Sequence, residues 1–223
     1  MIMVFKPPPA IVQRVMKFKA IQHKDGKFLL WGIPCFISEL YTFIYEQRLL
    51  EDELGVKKAS SILYSMGQLQ VEKSAKMITE RFGYAKTITE KSKLADFNIG
   101  QSEMVGLGQF KFIRKDFGKG FFIVRGKSPI AEEYKRFFGI HKNHVDYLIR
   151  GMIGGMGNWL TGEKCLCLET QCIAMGKQYC EFLVKPVEKW DIEDPLYKSQ
   201  MIEKIKNMKE LGARMEPYII SPK

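Results

Sequence analysis

Histidine is scarce in this chain, with three in 223 residues. That scarcity removes most catalytic arrangements in which an imidazole activates a nearby Ser or Cys. A dinucleotide fingerprint is also missing. "GLGQFK" (106–111) carries only a partial Gly-x-Gly and sits in a strand pattern with no helix behind it. No apolar run approaches the ~18 residues that a membrane span needs. The opening "MIMVFKPPPA" reaches three prolines before any stretch resembles a secretory leader. A cytoplasmic location is therefore expected. Repeats, low-complexity segments and dense basic runs are absent too. The formal net charge is +10, which favours acidic partners in general. The lysines, however, alternate with Asp and Glu along the chain, so a solvated surface is favoured over a nucleic-acid face.

What is present is a globular composition, 46% hydrophobic and 27% charged, in a length that suits one sizeable domain with an appendage. "PPP" at 7–9 closes an N-terminal strand or arm. "DGKFLLWG" (25–32) reads as a turn into a short strand. Pro34 then opens a helix, with Phe36, Leu40, Phe43, Ile44 and Leu50 near helical spacing and Gly55 as its stop. A second helix runs from 56 to about 82, with Ile62, Leu63, Met66, Leu69 and Met77 on one stripe and Gly83 closing it. A weaker third helix occupies about 87–97. Alternation then predicts a hairpin of strands 104–115 and 120–126. Ser128 and Pro129 cap and open the next helix. A helix rich in glycine and methionine follows at 144–162. Strands 164–170 and 179–185 form a second hairpin, closed by Pro186. After "DIEDP" an amphipathic tail helix is expected. Hairpins joined by short turns, with helices between them, predict an α+β fold: a largely antiparallel sheet packed by helices.

The five cysteines cluster, three of them (Cys165, Cys167, Cys172) within eight residues. In a reducing compartment such clustering points to metal before disulfide. In "ETQCIAMGKQYCEF" (169–182), a turn at Gly176 would bring Glu169, Cys172 and Cys180 together. Two thiolates and a carboxylate suit zinc, and one more ligand closes a tetrahedron. Asp146, His144 and His141, near the start of the glycine-rich helix, are candidates, as is Cys167, which shares a strand face with Glu169. Burial of both cysteines as small hydrophobes is the competing explanation. Cys35, at the head of the first helix, is expected in the core.

The stretch "GMIGGMGNWLTGEKCLCLETQCIAMGKQYCEFLV" (151–184) resembles the C-terminal half of a vinyl-4-reductase (V4R) domain. That family's pattern is a Gly-rich helix, a strand, then Glu-x-x-Cys-x-x-x-Gly-x-x-x-Cys-x-Phe. Here these are Glu169, Cys172, Gly176, Cys180 and Phe182. The resemblance covers about 25–186, leaving 1–24 as an arm and 187–223 as a tail helix. It implies a ligand-binding domain of the nitric-oxide-signalling and Golgi-transport type, similar to sensor domains of aromatic-responsive transcription activators. It also implies a structural Zn²⁺ on the Glu, the two Cys and an upstream Cys. Counted back from Gly151, that upstream position is Asp146, so the expected ligands are Asp146, Glu169, Cys172 and Cys180, with His144 or Cys167 as the alternative fourth. A closed four-ligand zinc leaves no position for a reactive water, so turnover is not expected.

In such domains the ligand lies between sheet and helices. The lining expected here is Phe110, Phe112, Phe122, Val124, Met152, Met156, Trp159 and Cys167, with Arg125 and Ser128 adding polar contacts. Glycines 151, 154, 155 and 157 either admit a neighbouring helix or leave room for a ligand. The expected function is binding of a hydrophobic or aromatic small molecule, in a regulatory or carrier role. A homodimer through the first long helices or the tail helix is expected. An enzyme or accessory factor acting on a tetrapyrrole or vinyl-bearing substrate, and a nucleic-acid-associated sensor, are the alternatives.

Overall fold

The structure, a computed structural model, describes residues 21–30, 33–35, 37–82 and 87–205, together with 208, 210 and 213. The proline arm, Phe36, Gly83 and the Met77 side chain, each given a place above, lie outside the described residues.

The chain begins with a small antiparallel sheet of β1 (Ile21–Lys24), β2 (Lys27–Leu30) and β3 (Ile33–Cys35). Pro34 therefore does not open a helix. It lies in an edge strand opposite Leu29, where its missing N–H costs no ladder bond. Cys35, expected in the core, is half-buried in that strand. Helix α1 starts at Leu40 and ends at Leu54. Gly55, at φ +79°, turns the chain directly into α2 (Val56–Phe82). The buried positions of α1 are Ile44, Gln47 and Glu51, so two of the three are polar. On α2 the inner stripe is Ala59, Leu63, Tyr64, Gly67 and Ala75, and Met66 faces outward.

Helix α3 (Ile88–Met104) is longer than its pattern suggested. Thr87 and Glu90 form a reciprocal capping box at its start. Gly106 and Gly108, both at positive φ, delay strand β4 to Gln109–Asp116. Then come β5 (Phe121–Lys127), α4 (Pro129–Phe138), α5 (Tyr147–Thr161), β6 (Cys165–Gln171) and β7 (Cys180–Pro186). Helix α4 begins as expected: the Ser128 hydroxyl accepts from the Ala131 N–H, and Pro129 takes the first turn. The expected tail helix is interrupted: residues 201–205 are irregular, and 208, 210 and 213 are helical again. α6 spans Pro195–Gln200 and stops at Met201.

The main sheet runs β4–β5–β7–β6, antiparallel throughout, so the α+β expectation holds. Alternation turns Phe122, Val124, Cys180, Phe182 and Val184 to the buried face. Helix α5 lies on that face and α2 packs over α5. The glycines of α5 are filled by neighbours. A Cβ on Gly151 would stand 2.0 Å from the Tyr64 carbonyl oxygen of α2, and one on Gly155 2.6 Å from that of Gln68. Gly67 returns the contact from α2, 2.2 Å from the Leu148 carbonyl. On the sheet side, a Cβ on Gly157 would meet Val184 at 2.8 Å and Cys165 at 3.0 Å. These glycines exist for close packing on both sides of α5, not to leave a vacancy.

Candidate functional site

The last hairpin folds back through a tight turn. Both Met175 and Lys177 donate backbone N–H groups to the Cys172 carbonyl, and Gly176 adopts φ +86°. That turn places Cys172 beside Cys180, whose sulfur accepts from the Ile173 N–H at 3.4 Å. Glu169 leaves β6 near a bulge between Glu169 and Gln171. Asp146 sits at the residue before α5, and its N–H donates to Glu169 Oε2 at 3.4 Å. One ligand atom from each of Asp146, Glu169, Cys172 and Cys180 lies within 4.8 Å of all the others, and all four residues are buried. The four expected ligand positions thus converge. His144 and Cys167 are not in this group. His144 Nδ1 accepts from Gln200 Nε2 at 3.3 Å, and Cys167 packs by its Cβ near Gly154. His141 lies outside it as well, its N–H donating to the Ala174 carbonyl at 2.8 Å.

The electrostatics are those of a buried acidic cluster. Burial raises the pKa of Asp146. Burial first, then the charges of Asp146 and Cys172, raise Glu169 well above the usual carboxylate range. The two sulfurs share a hydrogen bond, which lowers Cys172 and raises Cys180. Four acidic groups in so small a buried volume hold protons where nothing else neutralises them. Asp146 Oδ1 accepts from the Ser128 hydroxyl at 2.5 Å. Asp146 Oδ2 and Glu169 Oε1 are buried with no hydrogen-bond partner among the described residues. Orphaned carboxylate oxygens beside two sulfurs fit a divalent metal with a taste for thiolate.

One fixed positive charge stands nearby. Arg150, fully buried on α5, donates to Gln200 Oε1 at 2.5 Å and to the Ser60 hydroxyl at 2.9 Å, and lies 5.1 Å over the Tyr64 ring. Burial lowers its pKa, and the charge of Glu169 acts against that fall. Gln200 ties these parts together. Its amide oxygen also accepts from the Glu169 N–H at 2.9 Å, and its nitrogen donates to the Glu169 carbonyl at 2.7 Å. The sequence carried no signal for Gln200, 31 positions beyond Glu169 in a stretch that reads as a charged tail.

The expected ligand lining is partly assembled. Phe122, Val124, Met156 and Cys167 are buried in one cluster, with Phe110, Phe112 and Trp159 packed against it. Phe112, Phe117 and Phe122 form an edge-to-face trio with centroids 5.5–5.6 Å apart, and Phe110 meets Phe182 at 5.9 Å. Two residues stand elsewhere. Arg125 alternates to the opposite sheet face, paired with Glu181 at 2.6 Å and stacked 4.3 Å over Tyr179. Met152 is half-buried, and its backbone abuts Gly67 of α2. Ser128 belongs to the four-residue knot through Asp146. Phe117 and Phe182 join the aromatic group without having been expected there.

No family profile matches the sequence. Over 66 residues the chain is 27% identical to the phenol regulator MopR of Acinetobacter guillouiae, a match of 30% of this chain and 12% of that regulator's length. Among solved structures, the phenol-responsive sensory domain of the transcription activator PoxR, with phenol, superposes at a TM-score of 0.69 with 16% identity, covering 88% of this chain and 100% of that one. A vinyl-4-reductase family protein from Methanocaldococcus jannaschii covers 84% of this chain and 99% of its own at 16% identity, with a TM-score of 0.42, below the level from which a shared fold follows. By its architecture the chain has the fold of the sensory domain of an aromatic-responsive transcription activator, as the resemblance in its last hairpin implied.

Proposed function

We propose that this protein is a regulatory domain that binds a small aromatic molecule between its main sheet and its helices, without chemical turnover. The observation that supports this reading is the shared fold with a phenol-responsive sensory domain across 88% of the chain. The aromatic trio of Phe112, Phe117 and Phe122 supplies a surface suited to such a ligand. The unit that binds is residues 25–186, a cytoplasmic module whose output passes to a second copy of the chain or to a partner.

The knot of Asp146, Glu169, Cys172 and Cys180 holds a structural Zn²⁺ in this reading. The ion would neutralise the converging acids and pin the last hairpin to the start of α5. The Ser128 hydroxyl fixes the Asp146 carboxylate, and Arg150 lessens the negative charge that two carboxylates and two thiolates leave beyond the ion's own.

Two measurements test the proposal. Metal analysis with native mass spectrometry should find one zinc per chain, lost in Cys172→Ser. Titration with phenol and a panel of substituted phenols should raise the melting temperature in proportion to ln(1 + [L]/Kd). A panel that leaves melting unchanged in the zinc-loaded protein removes the aromatic reading. A visible absorbance band in the purified protein would point to a tetrapyrrole instead.

A further inference from the structure

Arg150 is the one base buried among the described residues, and the largest of the fully buried side chains. Its terminal nitrogens have neutral partners. Nη1 donates to Gln200 Oε1, Nη2 donates to the Ser60 hydroxyl, and the guanidinium lies over the Tyr64 ring. No carboxylate forms an ion pair with it among the described residues. Nε is buried with no hydrogen-bond partner among them either. The acidic knot acts on Arg150 only through space. The Gln200 amide stands between, taking one bond from Arg150 and another from the Glu169 N–H. A buried charge calls for an opposite one, and a buried N–H calls for an acceptor.

We propose that Arg150 recognises an anionic group on the ligand, so that the class bound is a small aromatic carboxylate rather than a neutral phenol. This rests on the aromatic-ligand reading above and narrows it. Chemistry is the first argument. Nε and the second hydrogen of Nη2 lie side by side on one edge of the guanidinium. They offer the two parallel N–H groups that a carboxylate takes. A phenol hydroxyl has one oxygen and no charge, so it would satisfy Nε and leave the buried cation uncompensated.

Position is the second argument. The Tyr64 hydroxyl accepts from the Cys167 N–H, which sets Tyr64 and the guanidinium over it at the β6 border of the sheet. Across the buried face, Cys167 lies opposite Val184, and Val184 opposite Phe122 of the aromatic trio. Two strand spacings put Phe122 roughly 10 Å from Cys167. Cys167, Val184, Met156 and Phe122 belong to one apolar cluster. A ring set in that cluster with its carboxylate turned to β6 meets apolar groups at one end and the buried cation at the other.

The test compares three probes of similar size on the full chain at pH 7: benzoate, its neutral counterpart benzamide, and phenol. Calorimetric titration should find benzoate bound at least ten-fold more tightly than either neutral probe. Arg150→Met, its fold checked by circular dichroism, should lower the preference for benzoate over phenol at least ten-fold. Should that variant not fold, the parent chain still answers. The Nε–H resonance of Arg150, followed by nitrogen-15 NMR, should shift on adding benzoate and much less on adding phenol. Neutral probes that bind as tightly as benzoate overturn the proposal and leave the aromatic reading standing. A folded Arg150→Met that keeps the parent's preference overturns it, as does an Nε–H resonance that benzoate does not move. If neither benzoate nor phenol binds, the aromatic reading falls with it.

Discussion

The middle and the start of α5 solve the same problem in opposite ways. Along its middle, Gly151 and Gly155 bring its backbone against that of α2. At its beginning, Asp146 meets Glu169, Cys172 and Cys180 in a buried acidic knot. The first contact is complete as it stands, because close-packed atoms need nothing further. The second is incomplete, because buried acids need protons or a cation. Packing therefore sets where the helix lies, and the knot makes the adjoining hairpin depend on what the solution supplies.

The largest effect should come from breaking the knot. If the knot holds zinc as proposed, removing the metal with a chelator, or replacing Cys172 by Ser, should lower stability by about 3–5 kcal/mol, the usual cost of breaking a buried charge pairing. Denaturant unfolding with and without metal measures this. Hydrogen exchange should show the loss concentrated in 169–182 rather than in α2. Gly151→Ala should come next, at about 3 kcal/mol, since its Cβ would meet rigid backbone. Its folded fraction should still carry a full complement of metal. If the glycine variant loses metal as readily as the cysteine variant, the middle and the start of α5 are not independent.

A pH effect sharpens the contrast. Burial and the charge of Arg150 lower the His144 pKa to about 4. In the unfolded chain it titrates near 6.5. Between those values the unfolded state takes up a proton and the folded state does not. Stability should thus be level above about pH 6.5 and fall as pH drops towards 4, by about 3 kcal/mol from this group. His144→Gln should flatten that slope while leaving the behaviour of Gly151→Ala unchanged. The smallest effect concerns Ser128. Its loss to Ala should cost about 1 kcal/mol as a helix cap and weaken metal binding by about 10–100-fold. A titration with a competing chelator measures the second part.

Much of this was legible in the sequence for physical reasons. Alternation marked both hairpins, and Glu169, Cys172, Gly176 and Cys180 lie close enough along the chain for spacing to imply proximity. Asp146 was placed only by counting against a family pattern. Periodicity misled where two elements share a signal. Pro34 suits the first turn of a helix and an edge strand equally, and the edge strand won. Arg125 was misplaced because a strand turns adjacent residues to opposite faces. Met66 fell on the wrong side of α2 because the inner stripe there runs through Ala59, Gly67 and Ala75, small residues that leave little apolar signal beside Leu63 and Tyr64. Tyr64 and Gln200 gave no local sign, since their roles exist only after distant segments meet.

The unpaired side of β6 shows what those distant segments accomplish. Its outward amides are already engaged: Cys165 by Asn158 Oδ1 at 2.7 Å, Cys167 by the Tyr64 hydroxyl at 3.2 Å, and Glu169 by Gln200. Three side chains from three helices stand where a fifth strand would lie. That border offers no template to a stray peptide, so neither growth of the sheet nor β-type aggregation can begin there.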